Sequence, residues 1–282
     1  MSVIDLKVLD GIELDGHVNT SDEELLSNIR SAIRRGHPQV RQQNLNYDRV
    51  VLVGSGPSLA YTEKELVKLV HEGAKLVTVN GAYHWCLSRN LKPSAQVVMD
   101  ARPGNERFVM PDVPGCAYIL ASQCHPGVFD AVEGRKTVWI FHGMNRENQG
   151  ISVLNDYYLG HWDPVPGGST VTMRAMVALR MLGYLRFDLF GVDSCLMDGM
   201  HHAVAQPENN DDRLVQIRVG PTGHPDKRRE FIVTPWHCKQ LEDFLQFMRL
   251  NGELVLLNVH GDGLIAYALQ CGSDVAIDEV EQ

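Results

Sequence analysis

The residues best suited to chemistry in this sequence stand where short apolar runs stop. Gly54-Ser55-Gly56-Pro57-Ser58 follows the run 49–53, Asn80 follows 75–79, and Asp100-Ala101-Arg102 follows 95–99. Gln123 and His125 come after 117–120, His142 after 137–141, Asp193-Ser194 after 186–191, and His260 and Asp262 after 253–259. In the glycine turn, residues without a Cβ let backbone N–H groups approach an anion, and a helix starting there adds the positive end of its dipole. Gly54, Ser55, Gly56, Pro57 and Ser58 are therefore expected to hold the phosphates of a nucleotide; the plainer alternative is a tight strand-to-helix turn. Gly168-Ser169-Thr170 is a second candidate for phosphate contact, or else a simple helix cap. Neither stretch matches GxxxxGK[ST] or GxGxxG, which counts against a Walker-type ATPase and a standard NAD site.

Asp100 and Arg102 combine a carboxylate that could bind a metal or a ribose with a guanidinium that could bind an anion, a combination that phosphoryl transfer uses. A structural ion pair is the alternative. Asp193 ends another run in the same manner, and two carboxylates converging on one edge could hold Mg²⁺ through oxygen ligands, or one of them could cap a helix. His201-His202 lie in a polar stretch, where an imidazole could serve as general base, bind phosphate or simply be solvated. The absence of a GxSxG elbow and of an HExxH helix counts against hydrolase and zincin readings.

These positions need a scaffold that brings the ends of the runs together. The runs are short and rich in β-branched residues, and segments of helical periodicity alternate with them: Glu63 to Val70, a stretch through Trp85, and Val171 to Leu182. That alternation predicts an α/β fold, Rossmann-like and doubly wound, with a mainly parallel sheet whose carboxyl ends share one edge. Thr20-Ser21-Asp22 with Glu23 and Glu24 opens a further helix, followed by Leu25, Leu26, Ile29 and Ile33 at helical spacing. The expected organisation is an N-terminal extension with one helix over 1–47, the Rossmann-like domain over 48–270 and a C-terminal tail over 271–282. Residues 196–227 are polar and read as a long loop or lid, and 236–250 as an amphipathic helix.

With 282 residues, 44% of them hydrophobic, the chain can bury a substantial core. Its formal net charge of -9 argues against coating DNA or an anionic membrane, so neither direct duplex binding nor membrane association is expected. The first residues are acidic where a signal peptide needs a basic patch and an apolar run, so a cytoplasmic location is expected. Six cysteines without a CxxC pair read as reduced, mostly buried thiols.

Taken together, GSGPSL, VNGA, MDARP-x-N, ASQCHP, GGSTV and LFGVDS resemble the 6-hydroxymethylpterin diphosphokinase MptE-like family, bacterial and phage-borne members in particular, over about residues 48–265. The resemblance implies a Rossmann-like domain and ATP- and Mg²⁺-dependent transfer of diphosphate to a small hydroxymethyl, pterin-like acceptor. On that basis Gly54 to Ser58 would cradle phosphates and Asn80 would face the nucleotide. Asp100 and Asp193 would bind metal or ribose, and Gly168, Ser169 and Thr170 would complete the anion site. The GPSL loop is also similar to that of a bacterial sialyltransferase family using a CMP-sugar, and other relatives are linked to flagellin glycosylation. The expected function is thus a nucleotide-dependent transferase acting on a small acceptor, with Asp100, Arg102, Asp193, His201 and His202 as its catalytic candidates. A glycosyltransferase with a CMP- or UDP-sugar donor and a non-catalytic nucleotide-binding module are the alternatives. A homo-oligomer is compatible with each.

Overall fold

The computed structural model describes residues 2–8, 12–18, 20–135, 137–143, 150–203, 213–272 and 275–279, with the backbone alone for 2–8, 12–18 and 278–279. Strands β1 (Ser2–Val8) and β2 (Ile12–Val18) pair as an antiparallel hairpin. Helix α1 (Asp22–Ile33) starts at a reciprocal cap: Ser21 Oγ accepts the Glu24 N–H at 3.3 Å and the Glu24 carboxylate accepts the Ser21 N–H at 2.9 Å. Strand and helix then alternate through β3 (Asn46–Val53), α2 (Leu59–His71), β4 (Lys75–Val79), α3 (Ala82–Leu87) and β5 (Ala95–Val98). A 3₁₀ turn (Asn105–Val109) leads to β6 (Ala117–Ala121), α4 (Pro126–Ala131), β7 (Val138–Gly143), α5 (Gly150–Tyr158), β8 (Pro164–Val165), α6 (Val171–Met181) and β9 (Tyr184–Phe190). The chain ends with β10 (Val215–Pro221), β11 (Arg229–Val233), α7 (Pro235–Asn251), β12 (Leu256–His260), α8 (Leu264–Cys271) and β13 (Val275–Glu279).

Eight strands form one parallel sheet in the order β12-β9-β3-β4-β5-β6-β7-β8. From β3 each new strand is added on one side, until α6 carries the chain back and β9 pairs with the other side of β3. The strand order therefore reverses between β3 and β9, and in doubly wound sheets the carboxyl end of such a switch point is where ligands bind. Val50, Val51, Leu52 and Val53 are fully buried, as a strand covered on both faces requires. The predicted α/β class is the observed one.

Three expectations differ from the structure. Helix α1 is no outlying extension: Ile29, Ala32 and Ile33 belong to the main core, and the helix packs on α4 and α5. Residues just after it cover the edge of β7, where the Val40 N–H donates to the Ile140 carbonyl at 2.8 Å and the Ile140 N–H to the Pro38 carbonyl at 2.9 Å. Of the stretch read as a loop or lid, 204–212 lies outside the described residues, but 215–221 is β10, the centre of a second, antiparallel sheet ordered β11-β10-β13. The C-terminal tail supplies β13. Strand β10 was hidden because Val215, Ile217 and Val219 are buried while Gln216 and Arg218 alternate with them, a period-two pattern that contains no apolar run.

Candidate functional site

At the switch point the turns that follow β3, β9 and β12 interlock. The Gly54 N–H donates to the Phe190 carbonyl at 2.8 Å, the Gly56 N–H to the Gly191 carbonyl at 2.8 Å, and the Ser58 N–H to Asp193 Oδ2 at 2.9 Å. A Cβ on Gly54 would lie 2.5 Å from the Gly191 oxygen, and one on Gly56 would run into the Asp193 carboxylate. These glycines permit two backbones to touch. The anion at the start of α2 is the protein's own: Asp193, 4% exposed, accepts the Ser58 N–H there. Burial raises the Asp193 carboxyl above its ordinary value, against the opposing pull of the Ser58 N–H. The N–H groups of Gly54, Gly56 and Ser58 in the expected phosphate cradle are taken up within the fold, and the Ser55 carbonyl accepts the Ala203 N–H at 2.8 Å.

The start of α6 repeats this arrangement. Thr170 caps the helix by accepting the Met173 N–H at 3.4 Å, and Gly168 adopts a φ of 80° with the Arg174 nitrogen 2.7 Å from where a Cβ would be. The Ser169 N–H donates to the carboxylate of Asp243, which α7 brings in. Asp243 also lies near the buried Arg174, whose Nη1 donates to the Val165 carbonyl at 2.5 Å. Burial lowers the Arg174 guanidinium to about 10 despite that carboxylate. At both glycine-rich turns, then, an internal carboxylate stands where a phosphate was expected.

At the end of β5, Arg102 Nη2 donates to Asp100 Oδ2 at 2.6 Å and Arg102 Nε to Asp100 Oδ1 at 3.0 Å, while the Arg102 N–H closes a local turn onto Oδ1 at 3.0 Å. The planar fork meets the carboxylate through two donors, the geometry of a strong ion pair. Asn28 of α1 donates to the carbonyls of Ala101 and Gln123, at 3.2 and 3.1 Å, and so ties the ends of β5 and β6 together. Asp100 follows β5 and Asp193 follows β9, with β3 and β4 between them in the sheet, and each carboxylate has its own partner, Arg102 for Asp100 and the Ser58 N–H for Asp193. Carboxylates at separate strand ends, each engaged in the protein, do not fit one Mg²⁺ ion as a shared pair. Among the described residues, no group of three or more His, Cys, Asp or Glu side chains comes together to hold a metal.

Asn80 turns the chain after β4 at a φ of 41°, and its buried Oδ1 has no hydrogen-bond partner among the described residues. The same holds for Ser122 Oγ, Ser194 Oγ and both ring nitrogens of His142, all at the carboxyl edge of the main sheet. Buried polar atoms are rarely left unpaired. On this edge such atoms are suited to meet a ligand or bound water. His201 and His202 precede Ala203, whose bond to Ser55 holds them against the glycine turn. The His201 and His202 rings lie 6.4 Å apart, and His237, at the start of α7, is 5.8 Å from His201. Sequence reasoning missed His237 and Asp243, whose positions on α7 carry no local signal of a site.

A doubly wound parallel sheet with polar groups along its carboxyl edge defines a Rossmann-like α/β protein. The chain belongs to the 6-hydroxymethylpterin diphosphokinase MptE-like family, whose sequence pattern matches residues 23–199 and so begins with α1. Among solved structures it is similar to the MAf glycosyltransferase from Magnetospirillum magneticum AMB-1, with a TM-score of 0.61 and 17% identity, a likeness of fold. That match covers 88% of this chain and 38% of the other, so this chain spans well under half the length of that protein. No curated protein matches the sequence. Among the described residues no helix is long and apolar enough to cross a membrane.

Proposed function

We propose that this protein is a transferase that binds a nucleotide donor over the β3–β9 switch point and passes a group to the hydroxyl of a small acceptor. The observation that carries this reading is the Ala203–Ser55 hydrogen bond of 2.8 Å, which sets His201 and His202 beside the turn at which the strand order reverses. An imidazole there can take the acceptor's hydroxyl proton while the acceptor oxygen attacks. With a nucleotide-sugar donor, a bond forms from that oxygen to the sugar carbon, the sugar–phosphate bond breaks, and the nucleotide leaves with the electron pair. Glycosyl transfer is favoured because a base is at hand and the chemistry needs no pair of converging carboxylates.

Diphosphate transfer from ATP to a hydroxymethyl, pterin-like acceptor is the second reading, favoured by family membership. It depends on Mg²⁺, which Asp100 and Asp193 do not fit as a shared pair. A thermal-shift panel of ATP, GTP, CMP, UDP and a CMP-sugar, each with and without Mg²⁺, separates the two, since a ligand of the native state raises its stability by mass action. The expected result is metal-independent stabilisation by a pyrimidine nucleotide or its sugar. Stabilisation by ATP that requires Mg²⁺ and disappears in Asp100→Asn would move the assignment to diphosphate transfer, and no stabilisation by any nucleotide would end both readings.

A further inference from the structure

The two turns whose glycines point to phosphate binding already hold Asp193 and Asp243 against their N–H groups. A phosphate placed at either would meet a resident carboxylate, and like charges at contact are repulsive. A ligand carrying phosphate must be gripped elsewhere on this edge. The imidazoles of His201, His202 and His237 form the other polar cluster beside the glycine turn, on residues that are half-buried. The His201 ring lies 6.4 Å from that of His202 and 5.8 Å from that of His237, a spacing at which one tetrahedral oxyanion can present a different oxygen to each ring.

His237 is oriented in advance. Its Nδ1 accepts the Thr234 N–H at 3.2 Å while the Thr234 hydroxyl accepts the His237 N–H at 3.3 Å, a reciprocal cap at the start of α7. With Nδ1 engaged as acceptor, the proton of the neutral ring resides on Nε2, which becomes a donor held in a fixed direction. Burial, with repulsion from His201 and His202, pushes His237 down to about 3, so it remains this neutral donor at ordinary pH.

We infer that His201, His202 and His237 together form a phosphoryl-binding site beside Ser55. The inference deepens the transferase reading by moving the phosphates of the bound ligand from the glycine turns to the histidines, and it rests on that reading only for the identity of the ligand. The phosphoryl group can come from a nucleotide or from a phosphorylated acceptor; the recognition is the same.

Inorganic pyrophosphate tests the site without presupposing either. Calorimetric titration of the full chain is expected to show binding that weakens about tenfold or more in each of His201→Gln, His202→Gln and His237→Asn, the scale of losing one hydrogen bond to a charged group. Because His237→Asn alters the helix cap, the imidazole C2–H signals of the unaltered chain supply the second measurement: those of His201, His202 and His237 should shift on adding pyrophosphate, while that of exposed His71 should stay. No binding, binding unchanged in the histidine variants, or binding lost in Arg102→Gln alone would each overturn the inference. If nucleotides stabilise the chain but the histidine variants bind pyrophosphate normally, this site falls and the transferase reading stands. Weakened pyrophosphate binding without stabilisation by any nucleotide would keep the site and remove the transferase reading.

Discussion

Asp188 lies 1% exposed in the middle of β9, and side chains of the two neighbouring strands converge on it. Arg49 of β3 donates to it at 2.5 and 2.9 Å, His260 of β12 lies 2.8 Å away and Asn258 donates at 3.2 Å. Burial by itself would raise this carboxyl, but the hydrogen bonds from His260, Arg49 and Asn258 outweigh it and hold the group down at about 2. The folded value lies below the unfolded one. The stability this provides is therefore present above about pH 4 and is lost as the pH falls through about 2. Urea titrations should show a loss on the order of 2 kcal/mol across that window, absent in Asp188→Asn. At pH 7 Asp188→Asn is expected to cost about 3 kcal/mol by leaving the Arg49 charge without its partner. Gly56→Ala tests the interlocked turns: its Cβ would overlap the Asp193 carboxylate and lie 2.7 Å from the Gly191 oxygen, so a loss of about 2–3 kcal/mol is expected in thermal unfolding. A glycine doublet in sequence is the same signal whether the close neighbour is a phosphate or a second backbone, and here it is the backbone.

Among the elements, α7 and α1 do more for the site than their amphipathic patterns suggest. Helix α7 sends Asp243 to the first turn of α6 and His237 to the histidine cluster. Asp243→Ala would orphan the Ser169 N–H and leave the buried Arg174 without a nearby carboxylate. A loss of about 2 kcal/mol is expected, read by denaturant unfolding. Helix α1 reaches the other half of the edge through Asn28. Asn28→Leu removes both bonds to the ends of β5 and β6 and should cost about 1–2 kcal/mol, with faster proteolytic cleavage in residues 100–105. The strands over 75–79, 95–98 and 117–121 were legible to within a residue because an apolar β-branched run is a local signal. Strands β10 and β13 were not, since β10 alternates apolar with polar residues and has no apolar run, and β13 pairs with a strand more than fifty residues earlier in the chain.

At the scale of the whole molecule, α1 and the segment covering β7 belong to the same core as the sheet. A chain beginning at residue 41 loses the buried Ile29, Ala32, Ile33 and Val40 and is expected to melt without a cooperative transition by circular dichroism. What the sequence by itself determined was the alternation of strands and helices, the α/β class and the placement of polar residues at the strand ends, because hydrophobic period and turn composition act over a few residues. Tertiary structure alone decided which of those ends meet. The Ser58–Asp193 bond spans 135 residues and the Ser169–Asp243 bond 74, and neither partner's local sequence names the other. The reversal of strand order between β3 and β9 decides the first of these meetings. At each of the two glycine-rich turns an internal carboxylate takes a backbone N–H, since a buried N–H is satisfied by whichever acceptor packing brings within reach.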